Sequence, residues 1–455
     1  MNVIKFGGSS LASAQQFKKV AQIVKDNAKR KIVVVSAPGK RFPEDDKVTD
    51  LLIAIAKKSL INQDFSLEMN KVVQHYQEIA DALHLNKNVM EMIQLNLNNL
   101  VAIDKTTDAD YYIDALKASG EDNCAKLVSA YFNQEGLVSS YVSPREAGLI
   151  VTDEPNNAQV LPESYEALAN LRNREEIVVF PGFFGYTKTG KVATFSRGGS
   201  DITGAILANA IDAEVYENFT DVDAIFSANP TVVKNPQPIY ELTYREMREL
   251  SYSGFSVLHD EALQPALVKN IPVVIKNTNN PSSLGTRIVK KRMVKINSII
   301  GIASSSGFMS IYIEKHLMNR EIGFGRKLLQ LLESYGLRYE HTLSGIDNLT
   351  VILNAEQLTP AVLDSLITHL KEQLKVDNVR TECDISLIML VGEGMRNQIG
   401  TMAIAAQALR ENQINIDMVN QGASENSVMI GIQKKNEDNA VKALYHAFFE
   451  EESNK

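Results

Sequence analysis

Four short stretches of this chain set glycines beside charged side chains in arrangements that suit phosphate and carboxylate chemistry. Lys5-Phe6-Gly7-Gly8-Ser9-Ser10 follows an apolar N-terminal run and precedes a helical pattern. Two glycines at a strand–helix turn let backbone N–H groups approach phosphate oxygens, and the helix N-terminus adds positive potential. A lysine just ahead can neutralise charge on a transferring phosphoryl group. The GxxxxGK[ST] phosphate loop is a different motif, because here the lysine precedes the glycines. A plain strand–turn–helix with a surface lysine is the simpler alternative. Ser196-Arg197-Gly198-Gly199-Ser200-Asp201 is a second such junction, where Arg197 suits bidentate capture of a carboxylate and Asp201 suits a helix N-cap. Lys117-Ala118-Ser119-Gly120-Glu121-Asp122 reads as a helix start with two acids, for which a capping box from Ser119 to Asp122 is the structural alternative. From Glu217 to Pro230 an apolar strand runs into a polar, turn-rich loop, the place where a parallel sheet usually binds its ligand.

These stretches need a scaffold, and the pattern around them supplies one. Val3–Phe6, Lys31–Ser36, Glu176–Phe180, Val192–Phe195, Glu214–Asn218 and Pro272–Lys276 read as strands, with a helix over Ala14–Ala28. Strands alternating with helices predict an α/β, three-layer α/β/α sandwich on a mostly parallel sheet. Residues 62–100 are helical in pattern and read as an insertion on that core. The basic run at 290–295 reads as a solvated linker and a domain boundary. Beyond it the chain repeats: about 77 residues separate Gly323 from Gly400 and likewise Gly345 from Gly422. Each copy has the order strand–helix–strand–strand–helix, a ferredoxin-like α+β unit whose sheet edge wants a partner. The expected domains are 1–295, 296–384 and 385–455, the last segment returning to the middle unit in one variant of this division.

Bulk composition narrows the classes. The 455 residues carry a net charge of −8, with 44% hydrophobic and 22% charged residues, as expected of a globular chain without a basic face for nucleic acid. Cys124 and Cys383 are the two cysteines, far apart, so neither a disulfide framework nor a zinc site is implied. No apolar run is long enough for a signal peptide or a membrane span, which makes a cytoplasmic protein the expectation. His259 has no metal-ligand spacing around it and reads as structural.

Taken in order, these segments make the chain resemble the aspartate kinases of the amino-acid kinase family. KFGGSS matches the N-terminal signature, Ser119–Glu121 the SGE triplet, SRGGSD the (G/S)RGGSD segment, and FTDVDAIFSANP a WTDVxGxYTxDPR-like nucleotide loop. YREMRELSYSGFSVLHDEAL (Tyr244–Leu263) fits the family's helix with its VLH ending, and the tandem repeat is similar to its two regulatory ACT units. The resemblance implies the amino-acid kinase fold and transfer of phosphoryl from ATP to L-aspartate, the first step towards lysine, threonine and methionine. It implies that Lys5 contacts the phosphoryl group, that Gly7, Gly8 and Ser9 line the cradle, and that Asp201 orients Lys5. Arg197 would hold the substrate α-carboxylate and Glu121 its ammonium, with Thr49, Phe183 and Ser200 nearby. Thr220, Asp221 and Phe226 would border adenine and ribose. Mg²⁺ would ride on the ATP phosphates without a protein cage. Acetylglutamate kinase, glutamate 5-kinase and nucleoside-monophosphate kinases share the fold class. The insertion, Glu121 with Arg197, and the ACT pair favour aspartate.

Three departures from the pattern stand out. Phe226 replaces a tyrosine, Asn229-Pro230-Thr231 lacks the loop's arginine, and Phe255-Ser256-Val257-Leu258-His259 lacks a lysine. Lys234 and Lys276 are the candidates to restore the lost charge, and a non-catalytic amino-acid sensor is the rival reading. In the regulatory third the resemblance points to an effector at Met318–Gly325, with Ile322, Gly323 and Phe324 in that stretch and Glu340 on the next strand. Glu340 or Asp347 would take an ammonium, or would merely face solvent, while Glu321 would support the helix dipole. Lysine is the first expected effector and threonine the second. Paired ACT units imply at least a homodimer, with tetramers left open.

Overall fold

Val3, Ile4 and Phe6 are all fully buried, so the first strand has core on both faces, as a central strand of a parallel sheet must. The structure is a computed structural model. It describes residues 1–103, 108–196, 198–255, 258, 260–293, 299–422 and 426–450, with only the backbone at 260, 261 and 397. The chain divides into two units. The first comprises 1–225, 238–248 and 256–292, and the second 226–237, 249–255 and 293–455.

The strands of the first unit are β1 (Asn2–Phe6), β2 (Arg30–Val35), β3 (Ser139–Tyr141), β4 (Ile177–Pro181), β5 (Phe184–Tyr186), β6 (Val192–Thr194) and β7 (Tyr216–Thr220). The two-residue strands β8 (Ile225–Phe226) and β9 (Pro238–Ile239) follow, then β10 (Glu241–Thr243), β11 (Val273–Asn277) and β12 (Thr286–Val289). Eight of them form one sheet in the order β10-β12-β11-β7-β1-β2-β4-β3. Every pairing in it is parallel except β11 with β12. Helices α1 (Ala14–Lys25), α2 (Val48–Leu60), α3 (Ser66–Ala82), α4 (Lys87–Val101) and α5 (Ala109–Gln134) pack on one face, sharing a core with Ile4, Phe6, Val33 and Val35. Lys5 alternates to the opposite face. There α8 (Gly199–Ala210) lies, after the short α6 (Pro144–Ala147) and α7 (Glu163–Ala169). The expected three-layer sandwich is therefore present, and α3 and α4 occupy the predicted insertion.

Several local expectations are corrected. Val192–Thr194 pairs antiparallel with β5 in a separate two-stranded sheet and is no part of the parallel one. Ser119–Glu121 lies in the interior of the 26-residue α5, where Ser119 Oγ donates to the Leu116 carbonyl at 2.6 Å instead of capping. Gly120 reads locally as a breaker, yet a Cβ there would stand 2.9 Å from that of Ala37. Asp201 is no N-cap: Gly198 at φ +75° occupies that position, and Asp201 is free to reach elsewhere. Arg292, in the run read as solvated, forks onto the fully buried Glu246 at 2.9 and 2.6 Å. That carboxylate also takes the Thr243 N–H at the start of α9 (Tyr244–Tyr252), which precedes α10 (Gln264–Val268).

The second unit is built on one antiparallel sheet of six strands. They are β13 (Gly301–Glu314), β14 (Tyr339–Ser344), β15 (Asn348–Asn354), β16 (Asn378–Val391), β17 (Met418–Asn420) and β18 (Ser427–Gln433), in the order β14-β15-β13-β16-β18-β17. The repeat read from the sequence appears twice, as β13-α11-β14-β15-α12 and β16-α13-β17-β18-α14. The helices are α11 (Phe324–Ser334), α12 (Pro360–Leu374), α13 (Thr401–Glu411) and α14 (Glu437–Tyr445). The two copies join through the long strands β13 and β16, paired antiparallel from Gly301 with Val391 to Glu314 with Asn378. Ala228 and Val233 belong to the core under α13 and α14, and the Tyr445 hydroxyl accepts the Gln237 N–H at 2.9 Å. The end of the predicted nucleotide loop and the residues after it thus pack as part of this unit.

Candidate active site

The C-terminal ends of the neighbouring parallel strands β7, β1, β2 and β4 carry the predicted site. Lys5 on β1 pairs in register with Asn218 on β7 and Val34 on β2. Its Nζ lies 2.6 Å from Asp201 Oδ1, in the first turn of α8. Asn218 Nδ2 donates to the same oxygen at 2.8 Å and Asn218 Oδ1 lies 3.5 Å from Lys5 Nζ. One carboxylate and one amide therefore fix the ammonium group of a lysine that is 7% exposed. An ion pair this dry needs such geometry to offset desolvation.

Beside it the backbone closes into a cradle. After Gly7, whose N–H donates to the Phe219 carbonyl at 3.1 Å, the chain turns at Gly8 towards Ser9 and Ser10. Gly39, at the turn following β2, donates to the Gly8 carbonyl at 2.9 Å. A Cβ on Gly39 would stand 2.7 Å from the Gly8 carbonyl carbon, which is backbone and cannot swing aside. Gly39→Ala is expected to lower the melting temperature, since overpacking against backbone forces the turn open. A thermal melt checks this; an unchanged midpoint would show that the cradle tolerates the separation.

Glu121 on α5 is 5% exposed, and its Oε2 has no hydrogen-bond partner. Burial pushes its carboxyl up to about 8, against the opposing pull of the Ala37 N–H, Lys117 and Lys5. A half-satisfied buried carboxylate within the field of Lys5 is suited to an arriving cation. Thr49, in the first turn of α2, is half-buried next to Val48, whose side chain meets Gly120. Phe183, at φ +80°, follows β4; its N–H donates to Thr203 Oγ1 at 3.0 Å, and its ring packs on Gly199. Ser200 is buried against Gly182. Arg197 and His259 lie outside the described residues, as do Ser256 and Val257.

Of the predicted nucleotide residues, Thr220 ends β7 and its hydroxyl donates to the exposed Asp221 at 3.2 Å. Phe226 and Lys234 fall in the second unit, where Lys234 lines a cavity of about 900 Å³ with residues of α13 and α14. Lys276 on β11 stays in the first unit, its Nζ 6.0 Å from the centroid of the Phe219 ring beside the cradle. Among the described residues no group of His, Cys, Asp and Glu could hold a metal ion, and no helix is long and apolar enough to cross a membrane.

The predicted effector residues divide. Met318 and Phe324 are buried in the core under α11 and α12, whereas Ile322 is exposed. Gly323, at φ +82°, caps α11 ahead of Gly325. The Lys315 and Lys327 ammonium groups hold the Glu321 carboxyl down at about 2, and Glu340 takes the Tyr252 hydroxyl. Asp347 Oδ1 is buried without a partner. Sequence reasoning assigned no role of their own to Asn218, Gly39, Asp114 and Lys117. An asparagine within the buried strand β7 and a Pro-Gly turn shortly after β2 were the available signals.

Comparison with known proteins gives the family. Residues 1–277 match the model of the amino acid kinase family, and residues 388–448 that of the ACT domain. Aspartokinase 3 of Bacillus subtilis (strain 168) is 56% identical over 449 residues, covering 99% of each chain. The crystal structure of Clostridium acetobutylicum aspartate kinase superposes with a TM-score of 0.86 at 35% identity, covering 98% of this chain and 100% of that one. E. coli aspartokinase III in complex with aspartate and ADP shares the fold, with a TM-score of 0.80 at 23% identity over 99% of this chain and 100% of that chain. The Lys5–Asp201 constellation, the glycine cradle and these full-length likenesses place the chain in the amino acid kinase family, among the aspartokinases.

Proposed function

We propose that this protein transfers the γ-phosphoryl group of ATP to the side-chain carboxylate of L-aspartate, giving 4-phospho-L-aspartate and ADP. The observation that carries this reading is Lys5, locked by Asp201 and Asn218 beside the Gly8–Gly39 cradle. An aspartate side-chain oxygen attacks the γ-phosphorus as the bond to the ADP oxygen breaks. A carboxylate is already ionised at neutral pH, so no base is required, and positioning with charge neutralisation carries the rate. Lys5 meets the negative charge of the phosphoryl group in flight, and the backbone N–H groups at Gly8 and Ser9 receive phosphate oxygens. Glu121 takes the substrate ammonium and Arg197 its α-carboxylate, with Thr49, Phe183 and Ser200 around them. Thr220 and Asp221 border the nucleoside. Mg²⁺, carried on the nucleotide, supplies further charge neutralisation.

Two cations of the resembled pattern are absent, and Lys276 is the better substitute, since it stands in the same unit as the cradle. Lys276→Ala is expected to raise KM for ATP several-fold with KM for aspartate unchanged, as befits loss of one charge-assisted contact of about 1.5–3 kcal/mol partly exposed to solvent. Rates at saturating aspartate and varied ATP would show it, and an unmoved KM for ATP removes Lys276 from the site.

The C-terminal unit we read as a regulatory pair of ACT modules that binds an amino acid, lysine first and threonine second. It would do so near Met318–Gly325, where Asp347 offers its unpartnered oxygen. An effector acts by favouring one of two global states, so it must bind them unequally. We read the protein as cytoplasmic and as at least a homodimer through these modules. The deciding experiment incubates it with MgATP, L-aspartate and hydroxylamine and measures trapped hydroxamate. Hydroxamate with aspartate but not glutamate supports the reading, and inhibition by lysine or threonine identifies the effector. No product with any substrate, while an amino acid still binds, would make the protein a sensor on a kinase scaffold.

A further inference from the structure

Two buried charges on α5 have been given no role beyond the pull of Lys117 on the Glu121 carboxyl. Asp114 and Lys117 are 1% and 5% exposed, one helical turn apart, with Lys117 Nζ 3.0 Å from Asp114 Oδ1. Asp114 Oδ2 accepts the N–H groups of Asn156 at 2.8 Å and Thr194 at 2.7 Å. Lys117 Nζ donates to Asn156 Oδ1 at 2.8 Å and lies 5.2 Å from the centroid of the Phe183 ring. Packing alone does not call for this, because an apolar pair of similar volume fills such a space at no desolvation cost.

What the pair holds gives it a purpose. Thr194 ends β6 and leads through Phe195 and Ser196 into the arginine-glycine segment that opens α8. Phe183 stands in the left-handed region, where a bulky residue persists only if its surroundings enforce it. The two flanks are tied to each other, since Phe195 N–H donates to the Phe183 carbonyl at 2.8 Å. Asp114 grips one flank by its backbone, and Lys117 grips the other by a cation–π contact, which is stronger in a desolvated place than at a surface.

We infer that Lys117, anchored by Asp114, is a positioning residue for the amino-acid substrate: its ammonium over the Phe183 ring fixes the turn after β4 against the segment leaving β6. It acts through Phe183 and does not touch the substrate. This rests on the assignment of Phe183 and its surroundings to the aspartate site.

The test is steady-state kinetics of the full-length protein by hydroxamate trapping, for Lys117→Met, Lys117→Gln and Lys117→Arg. Lys117→Met and Lys117→Gln should each raise KM for aspartate at least about tenfold while KM for ATP stays within about twofold. Lys117→Arg, which keeps both the charge and the stacking on Phe183, should recover most of the loss. In a Phe183→Leu background Lys117→Gln should add little, because both act through the ring. If Lys117→Met fails to fold, Lys117→Gln decides. Parallel rises in both KM values, an unmoved KM for aspartate, or full additivity with Phe183→Leu would overturn the inference. A wild-type protein that makes no hydroxamate from aspartate fails the kinase reading itself, before any variant is compared.

Discussion

Lys5→Ala is expected to lose kcat by a factor on the order of a hundred or more, with KM for aspartate almost unmoved. The reason is where the ammonium sits and how little freedom it has. Its Nζ lies 2.6 Å from Asp201 and 3.5 Å from the Asn218 amide oxygen, and a Cβ on Gly7 would stand only 3.5 Å away. A cation held against the cradle in a dry place stabilises charge that shifts during transfer, and costs no reorganisation at that moment. On the proposed reading Lys5 binds the phosphoryl group in flight, so its loss should register in kcat and spare the amino-acid subsite. Asp201→Asn is the informative companion, since the amide can still accept from Asn218 but no longer neutralises Lys5. It should lower kcat as well. Removing one member of a nearly buried pair also costs stability, about 3–5 kcal/mol where no other partner steps in. Melts of each variant therefore accompany the rates, and kinetics are compared well below the lower midpoint. A folded Lys5→Ala protein with unchanged kcat would remove Lys5 from the chemistry.

What could be read from the sequence follows from how local each feature is. Lys5, Gly7 and Gly8 belong to one strand–turn–helix, so type and spacing suffice to place them. Asn218 and Gly39 join them only through the register of β1 with β7 and the abutting turn after β2, which no window of sequence contains. The Ser119–Glu121 stretch shows tertiary packing overriding propensity. Serine and glycine speak for a helix end, but the close approach of Ala37 and Leu52 requires a small residue in mid-helix. Strands β3, β10 and β12, of three or four residues, are too short to show a period. The tandem repeat was legible because its two copies share an offset. The strand pair β13 and β16 that fuses them is a pairing between copies and leaves no periodic trace.

Glu121 gives the second large effect, and its sign follows from burial. With the carboxyl pushed up to about 8, the ligand-free site holds Glu121 largely protonated at neutral pH. An aspartate ammonium needs the ionised form, so below that value binding must first expel a proton. KM for aspartate should therefore fall as pH rises, by up to about tenfold per unit below pH 8, and level off above it. Glu121→Gln should flatten that dependence and raise KM above pH 8 on the order of ten- to a hundredfold, the worth of a hydrogen bond to a charged group. Stability runs the other way. The folded state keeps a proton that the unfolded chain releases above the usual carboxylate value of 4.5, so Glu121 weakens the ligand-free fold progressively as pH rises from about 4.5 to about 8. Glu121→Gln should abolish that contribution and melt higher than wild type near pH 8, with the gap closing towards pH 4.5. The same substitution thus improves the empty protein and damages the working one. Melts recorded with and without saturating aspartate at pH 6, 7 and 8.5 separate the two effects. A pH-independent KM in the wild type would place the substrate ammonium elsewhere, and a variant less stable than wild type at pH 8 would show that burial does not raise the Glu121 carboxyl.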